Sequence, residues 1–127
     1  MTVLDTNFLI AVLRGKGTSE VTMDMIDDPK TTIINVFELY FGAMRSTKTK
    51  EVMSATNSLL KSIDIIDFDR SAAAKAADIH AKLTSSGKLL DVQDVLVAAI
   101  VIVNKEELVT RDIDHFKRIA GLRYKAW

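Results

Sequence analysis

The stretch Thr2-Val3-Leu4-Asp5-Thr6-Asn7 decides the fold that we expect for this chain. Val3 and Leu4, flanked by threonines, indicate a short buried strand that ends at Asp5. The apolar residues that follow, from Phe8 to Leu13, have the spacing of one helix face. A strand that passes directly into a helix is the opening unit of an α/β domain. In open α/β sheets, ligands bind outside the carboxyl ends of the strands, which is where Asp5 falls.

The same alternation continues along the chain. Further strands are predicted at 31–34, 63–68 and 107–110, with an edge strand at 122–124. Thr18 or Ser19 is expected to cap a helix that stops before Pro29, and Asn35 the helix after it. Further helices are predicted at 49–61, 71–83 (capped by Asp69 and ended by Gly87), 95–103 and 113–119. We therefore expect one α/β domain over residues 1–127, a three-layer fold whose mostly parallel sheet of about five short strands carries helices on both faces.

Composition excludes several classes of protein. The chain has no cysteine, which rules out disulfides and thiolate metal sites. Its N-terminus lacks the basic and apolar segments of a signal peptide. The longest apolar run, Val95 to Val103, is too short to span a bilayer. We expect a cytoplasmic domain that does not enter a membrane. The 17 basic residues balance the 17 acidic ones, so that net charge does not identify a partner.

Four acidic residues occupy strand ends or helix starts: Asp5, Glu38, Asp94 and Asp112. Carboxylates that converge in one cleft repel each other and raise each other's pKa. Mg²⁺ or Mn²⁺ removes that cost, because hard divalent cations prefer carboxylate oxygens as ligands. The pattern favours metal-assisted hydrolysis of a phosphodiester, in which the cation activates a water and stabilises the departing oxygen.

Three of the four acids also have a purely structural interpretation. Asp5 is equally suited to cap the helix that starts at Thr6. Asn35 and Glu38 have nearly the spacing of a capping box, in which the glutamate reaches back to the cap backbone. Asp94 begins a helix as a cap would, although a lone carboxylate beside apolar residues is costly to desolvate.

Two further aspartates compete for places in the site. Asp91 lies three residues before Asp94 and is an alternative cap or ligand. Asp114 lies two residues after Asp112, and we expect it to be exposed or to cap the helix that carries Phe116. His80 and His115 match no ligand spacing, and His80 is expected on an exposed helix face. No serine or cysteine nucleophile, phosphate-binding loop or dinucleotide motif is evident.

Several short motifs together resemble the PIN domain family, and the short VapC-type toxins in particular. They are Asp5-Thr6-Asn7, Glu38-Leu39 with Gly42, Gly87 before Asp94 and Ala98-Ala99, and Thr110-Arg111-Asp112 with Phe116. The resemblance extends from the first strand to residues 122–127. Each motif is weak alone, and the signal comes from their order and spacing.

The resemblance implies roles for these residues. Asp5, Glu38 and Asp94 would hold Mg²⁺ or Mn²⁺ with help from Asp112, and Asn7 would support Asp5 by hydrogen bonding. Thr110 could hold a metal-bound water through its hydroxyl. The family cuts RNA endonucleolytically, and its toxins pair with an antitoxin protein. A maturation nuclease of the same fold fits the same residues.

Surface contacts follow from the same interpretation. Arg14, Lys16, Arg45 and Lys48 are candidates for binding RNA phosphates. The early helices carry more apolar residues than one sheet face needs: Phe8, Leu9, Phe37, Tyr40, Phe41 and Met44. We expect some of them to form a homodimer interface or a groove for the antitoxin.

A phosphoacceptor receiver domain is the rival from another class, since it also binds Mg²⁺ in an acidic pocket of an α/β sheet. That fold needs paired carboxylates after its first strand, and here Asp5 stands alone. Asp67 or Asp69 would have to serve as the acceptor, and no lysine ends a fifth strand.

Overall fold

A computed structural model describes residues 2–15 and 26–127. Five strands form one sheet: β1 Thr2–Leu4, β2 Pro29–Thr32, β3 Asp64–Ile66, β4 Glu107–Val109 and β5 Tyr124–Lys125. Their order is β3-β2-β1-β4-β5, and all four pairings are parallel. This confirms the predicted parallel sheet of short strands. Since the strands are parallel, their carboxyl ends all meet at one edge.

Six helices are described: α1 Thr6–Leu13, α2 Ile33–Arg45, α3 Thr49–Leu60, α4 Arg70–Ser85, α5 Val92–Val103 and α6 Ile113–Phe116. The helix expected to begin at Thr18 or Ser19 lies outside the described residues. Within 2–15 and 26–127, no helix combines the length and the apolarity that crossing a membrane requires.

The sheet separates two apolar cores. Val3 and Leu108 face the side covered by α4 and α5, whereas Leu4 and Val109 face the side covered by α1 and α2. Successive side chains of a strand point to opposite faces, so neighbouring residues of β1 and β4 serve different cores. The central strands β1 and β4 are buried on both faces, as expected for the middle layer of a three-layer fold, whereas the edge strands β3 and β5 are partly exposed.

Local signals predicted α4 and its ends correctly. The Asp69 side chain accepts a hydrogen bond from the Ala72 backbone N–H at 2.9 Å and caps the helix. Gly87 follows the helix at φ +70°, and the backbone N–H of Lys88 donates to the Leu83 carbonyl. This is the glycine-dependent helix ending expected from the sequence.

The prediction around α2 was wrong in its boundaries. The strand ends at Thr32, and Ile33 and Ile34, which were assigned to it, form the first turn of the helix. Thr32 caps α2 and Asn35 completes a capping box with it, so Asn35 is not the cap. The threonine hydroxyl satisfies a free helix N–H, and this outweighs the strand preference of the two isoleucines. The other end-of-chain boundaries shift by a few residues: α6 ends at Phe116, and β5 is Tyr124–Lys125.

Candidate metal centre

The sheet order creates a crevice between β1 and β4. From β1 the chain continues to β2 and β3 on one side, and β4 and β5 lie on the other. The order of the strands thus changes direction between β1 and β4. This change leaves a gap beyond the carboxyl ends of these two strands, where ligands bind in open parallel sheets. Asp5 directly follows β1, and Thr110 to Asp112 directly follow β4. Residues that are 105 positions apart in sequence thereby face the same crevice.

Asp5 is buried, with 7% of its surface exposed, and is held by three uncharged donors. The Thr110 hydroxyl donates to Oδ2 at 2.7 Å. The Asn35 amide donates to Oδ1 at 3.2 Å, and the Thr6 backbone N–H at 2.9 Å. Burial raises the pKa of Asp5, and the nearby charge of Asp112 raises it further, although the hydrogen bonds oppose the shift. Asp5 is therefore the cap of α1 and remains a candidate site residue, since the two interpretations do not conflict.

Glu38 joins the same hydrogen-bond network through Thr6. The Thr6 hydroxyl donates to Glu38 Oε1 at 2.9 Å and accepts from the Asn35 amide at 2.9 Å. Burial raises the pKa of Glu38, with further increases from the charges of Asp5, Asp94 and Asp112. The capping-box interpretation of Glu38 was wrong, because Asn35 pairs with Thr32 instead.

Asp94 lies in the first turn of α5 and is partly buried. Burial raises its pKa, and the charge of Asp5 adds to the shift. His115, on α6, opposes the shift, with its Nδ1 3.4 Å from Asp94 Oδ2. Asp91 occupies the capping position of α5, but its side chain makes no capping hydrogen bond.

Asp112 and Asp114 are clearly separated by their surroundings. Asp112 is partly buried, and its backbone N–H donates to the Thr110 hydroxyl at 3.0 Å. Its charge raises the pKa of Asp5, Glu38 and Asp94. The Asp114 side chain is 87% exposed and pairs with Lys117 at 3.0 Å, which places it outside the crevice.

One supporting residue requires a correction, and the other has a hydrogen bond that the sequence did not predict. Asn7 is exposed, and no hydrogen bond joins it to Asp5 among the described residues; Asn35 makes that bond instead. Asn7 is the second residue of α1. The Thr110 hydroxyl donates to Asp5 and accepts from the Asp112 backbone N–H, and in this way orients Asp5. The oxygen keeps one lone pair, so that its contact with a metal-bound water stays a prediction.

Two residues of the site were not found from the sequence. Asn35 is completely buried and connects α2 to both Asp5 and Thr6. His115 lies beside Asp94, although the two residues are far apart in the chain and on different helices. No local pattern indicates either contact. The one available signal was that a buried amide needs hydrogen-bond partners.

The donor set suits a hard divalent cation. Within 2–15 and 26–127, no three His, Asp or Glu side chains already form a cluster that could hold a metal ion. The carboxylates interact through their charges, which raise the pKa values of Asp5, Glu38 and Asp94. Their oxygen atoms are the ligands that Mg²⁺ and Mn²⁺ prefer.

Three of the four basic candidates lie among the described residues, on or next to α1, α2 and α3. Arg14 is exposed and lines, with Glu38, a groove of about 390 Å³ between α1, α2 and α3. The Arg45 guanidinium lies 5.5 Å from the centre of the Phe41 ring. Lys48 is exposed just before α3, and Lys16 lies outside the described residues.

The receiver interpretation fails on the sheet order. Its acceptor would be Asp67 or Asp69, which follow β3 at the edge of the sheet, two strands from Asp5. Neighbouring strands are about 4.8 Å apart, so these acids are too far from Asp5 to share a cation. Asp69 is also occupied as the cap of α4.

The PIN domain model matches residues 2–122, nearly the whole chain. The chain belongs to the PIN domain family. Ribonuclease VapC3 of Methanocaldococcus jannaschii is 34% identical over 77% of this chain and 95% of its own length. The tRNA(fMet)-specific endonuclease VapC of Shigella flexneri is 27% identical over 98% of this chain and 96% of its own length. The resemblance to VapC-type proteins is thereby confirmed.

Solved structures agree with this placement. The complex of VapBC2 from Rickettsia felis with a promoter DNA fragment contains a chain that is 25% identical, with a TM-score of 0.89, over 99% of this PIN domain and 98% of that chain. A FitAcB chain from Neisseria gonorrhoeae is 28% identical, with a TM-score of 0.83, and covers 98% and 96%.

Proposed function

We propose that residues 1–127 form one PIN domain that acts in the cytoplasm as a metal-dependent endoribonuclease, the toxin of a toxin–antitoxin pair. One observation carries the proposal. A buried aspartate at the switch point of the sheet is held by neutral donors only, and the charges of other carboxylates surround it. This arrangement destabilises the protein without a cation and gives a cation an oxygen-rich site.

In this proposal Asp5, Glu38 and Asp94 hold Mg²⁺ or Mn²⁺, and Asp112 assists. A cation bound there would activate a water for attack on phosphorus and offset the charge on the leaving oxygen. Thr110 and Asn35 orient Asp5, and Thr6 connects it to Glu38. Holding ligands in a fixed orientation through outer hydrogen bonds increases metal affinity and activity.

RNA is favoured as the substrate by the relatives, which carry the names ribonuclease VapC and tRNA(fMet)-specific endonuclease VapC. The chemistry itself needs no 2′-hydroxyl. We expect recognition of a structured RNA, such as a tRNA or a ribosomal loop, by its shape and its phosphates. Arg14, Lys16, Arg45 and Lys48 are the proposed phosphate contacts.

A second copy and an antitoxin are the proposed protein partners. Four apolar side chains form an exposed stripe along α2: Ile33, Phe37, Phe41 and Met44. Phe37 and Phe41 are stacked, with ring centres 6.3 Å apart, and are 55% and 53% exposed. Such a patch on a small protein indicates a binding surface. Two other candidates for this surface, Phe8 and Leu9, are buried in the core. Tyr40 is partly buried, and its hydroxyl donates a hydrogen bond to Asn57 Oδ1.

The neighbouring groove between α1, α2 and α3 offers an apolar seat for an antitoxin segment. Leu39, Ala43 and Val52 are among its lining residues, and Glu38 lies within its wall. A segment bound there would also limit access to the metal centre. Sedimentation should show a dimer that gains mass when the antitoxin is added; a monomer unchanged by antitoxin would contradict both partners.

Total cellular RNA tests the activity. Purified protein with Mn²⁺ should cut a few sites in this RNA, spare duplex DNA, and lose the activity in excess chelator. Equal degradation of duplex DNA, cleavage in excess chelator, or intact RNA when metal is bound would each contradict the proposal.

A further inference from the structure

Arg111 lies between two residues of the candidate site and stacks on an aromatic ring. Thr110 before it holds Asp5, and Asp112 after it contributes to the charge of the crevice. The Arg111 guanidinium carbon lies 3.8 Å from the centre of the Trp127 indole ring. Arg111 itself is exposed. Stacking on an indole restricts a long side chain that would otherwise sample many rotamers.

The sheet places Trp127 at the carboxyl ends of the strands, where the candidate site lies. The Thr110 backbone N–H donates to the Lys125 carbonyl at 3.1 Å, so the residues after β5 emerge beside those after β4. Phe8 packs against the indole edge-on, with ring centres 5.1 Å apart. The indole N–H is buried, and it has no hydrogen-bond partner in the part of the chain that the structure describes. The ring is therefore positioned by contacts with its faces and edges, and not by its polar atom.

Within residues 2–15 and 26–127, the Arg111 guanidinium makes no hydrogen bond and no ion pair, and its recorded side-chain contact is the stack on Trp127. Arg118 and Arg123 differ, because each donates to a backbone carbonyl. Stacking uses the face of the guanidinium and leaves its N–H groups around the edge free. A planar fork of free donors beside an acidic crevice suits an anion with two oxygens, such as a phosphodiester.

We propose that Arg111 binds a phosphate of the RNA substrate at the mouth of the crevice, and that Trp127 holds its guanidinium in place. The inference rests on the proposed ribonuclease function and adds a substrate contact on the β4–β5 side. Arg14, Arg45 and Lys48 lie on or next to α1, α2 and α3. Arg111 would add to them a phosphate contact directly beside the candidate metal site. Arg111 is a binding residue in this account and takes no part in proton transfer.

Binding of a short, mixed-sequence, fluorescein-labelled oligoribonucleotide tests the proposal. Anisotropy is measured over a range of salt concentrations with Asp5→Asn protein, which keeps the probe intact. Adding Arg111→Ala should weaken binding about tenfold, the loss expected for a hydrogen bond between charged groups. It should also reduce the slope of log affinity against log salt by about 0.7, which corresponds to one phosphate contact.

Two matched variants separate this role from a structural one. Arg111→Lys keeps the charge, so the salt slope should be retained while affinity falls, because the flat stacking and the two-pronged contact are lost. Arg123→Ala removes an arginine at the opposite edge of the sheet and should change neither quantity. A structural defect alone would weaken binding without a selective change in slope.

Trp127 is the only tryptophan, and its emission therefore reports directly on this contact. Adding the same RNA without the label should change that emission in the Asp5→Asn protein and not in the Arg111→Ala double variant. Unchanged affinity and salt slope in Arg111→Ala, or an unchanged emission response, would overturn the proposal. Cleavage of the probe by Asp5→Asn protein would instead count against the metal-site assignment, and the two failures are thereby distinguishable.

Discussion

Two buried acids at opposite ends of the sheet differ in whether a cationic side chain pairs with them. Glu106, just before β4, is 5% exposed and pairs with Lys30, whose Nζ lies 2.8 Å from Oε1. Asp5, just after β1, is similarly buried but has no lysine or arginine partner among the described residues. A buried charge is normally paired, because desolvation is costly. The missing countercharge at Asp5 supports the proposal that a cation from solution takes that place.

Asp5→Asn should have the largest effect on activity. We expect RNA cleavage to fall by at least about 100-fold, the upper range seen when only an outer hydrogen-bond partner of a ligand is removed. Glu106→Gln serves as the matched control, since it changes an equally buried acid at the other end of the sheet. Cleavage rates of folded protein measure both variants. Equal losses in the two would contradict the distinction between these ends.

Thr110→Val should have the next largest effect. It removes the 2.7 Å hydrogen bond to Asp5 and keeps the shape of the side chain. We expect cleavage to fall about 10- to 100-fold, as for other residues that orient metal ligands. Thr110→Ser keeps the hydroxyl and should retain most of the activity. If Thr110→Ser were as inactive as Thr110→Val, the hydroxyl would not be the important group.

For the free energy of unfolding we expect the reverse order: a change at the Lys30–Glu106 pair should matter more than Asp5→Asn. Lys30→Met should lower the free energy of unfolding, because Glu106 would keep a buried charge without a partner. The loss should exceed that of Lys117→Met, whose partner Asp114 is exposed. Asp5→Asn should leave metal-free stability unchanged or raise it, since it relieves repulsion. Urea unfolding without metal measures all three, and a large loss in Asp5→Asn would show that the charge of Asp5 is structural.

The smallest expected effect concerns pH. The pKa values of Asp5, Glu38 and Asp94 are raised in the folded protein by burial and by neighbouring carboxylates. The folded state then binds protons at a higher pH than the unfolded state. Metal-free stability should therefore rise as pH falls from neutrality towards the ordinary values of 3.8 and 4.5. The rise should be smaller in Asp5→Asn; an equal rise would assign it to other groups.

Local sequence was sufficient for features that depend on neighbouring residues. The cap of α4 by Asp69 and its ending at Gly87 involve contacts within a few positions, and both were predicted. The boundary at Thr32 was wrong because two β-branched residues after it suggested a longer strand. There the choice depended on one capping hydrogen bond, which strand propensity does not contain.

The site was only partly predictable for a related reason. The four acids were found from their positions at strand ends and helix starts, together with the family resemblance. Asn35 and His115 were missed because their partners lie in distant parts of the chain. The error over Asn7 has the same cause. Asn7 is close to Asp5 in sequence and was expected to bond to it, but Asn35, from another helix, makes that hydrogen bond.

The most direct test of the central claim is Mn²⁺ binding, measured by the midpoint of thermal unfolding and by calorimetry. Mn²⁺ should raise the midpoint of the native protein, since a ligand that binds only the folded state stabilises it. The increase should be lost in Asp5→Asn and in Asp94→Asn, and retained in Glu106→Gln. An equal increase in native protein and Asp5→Asn, or no binding by the native protein, would contradict a metal centre at the carboxyl ends of β1 and β4.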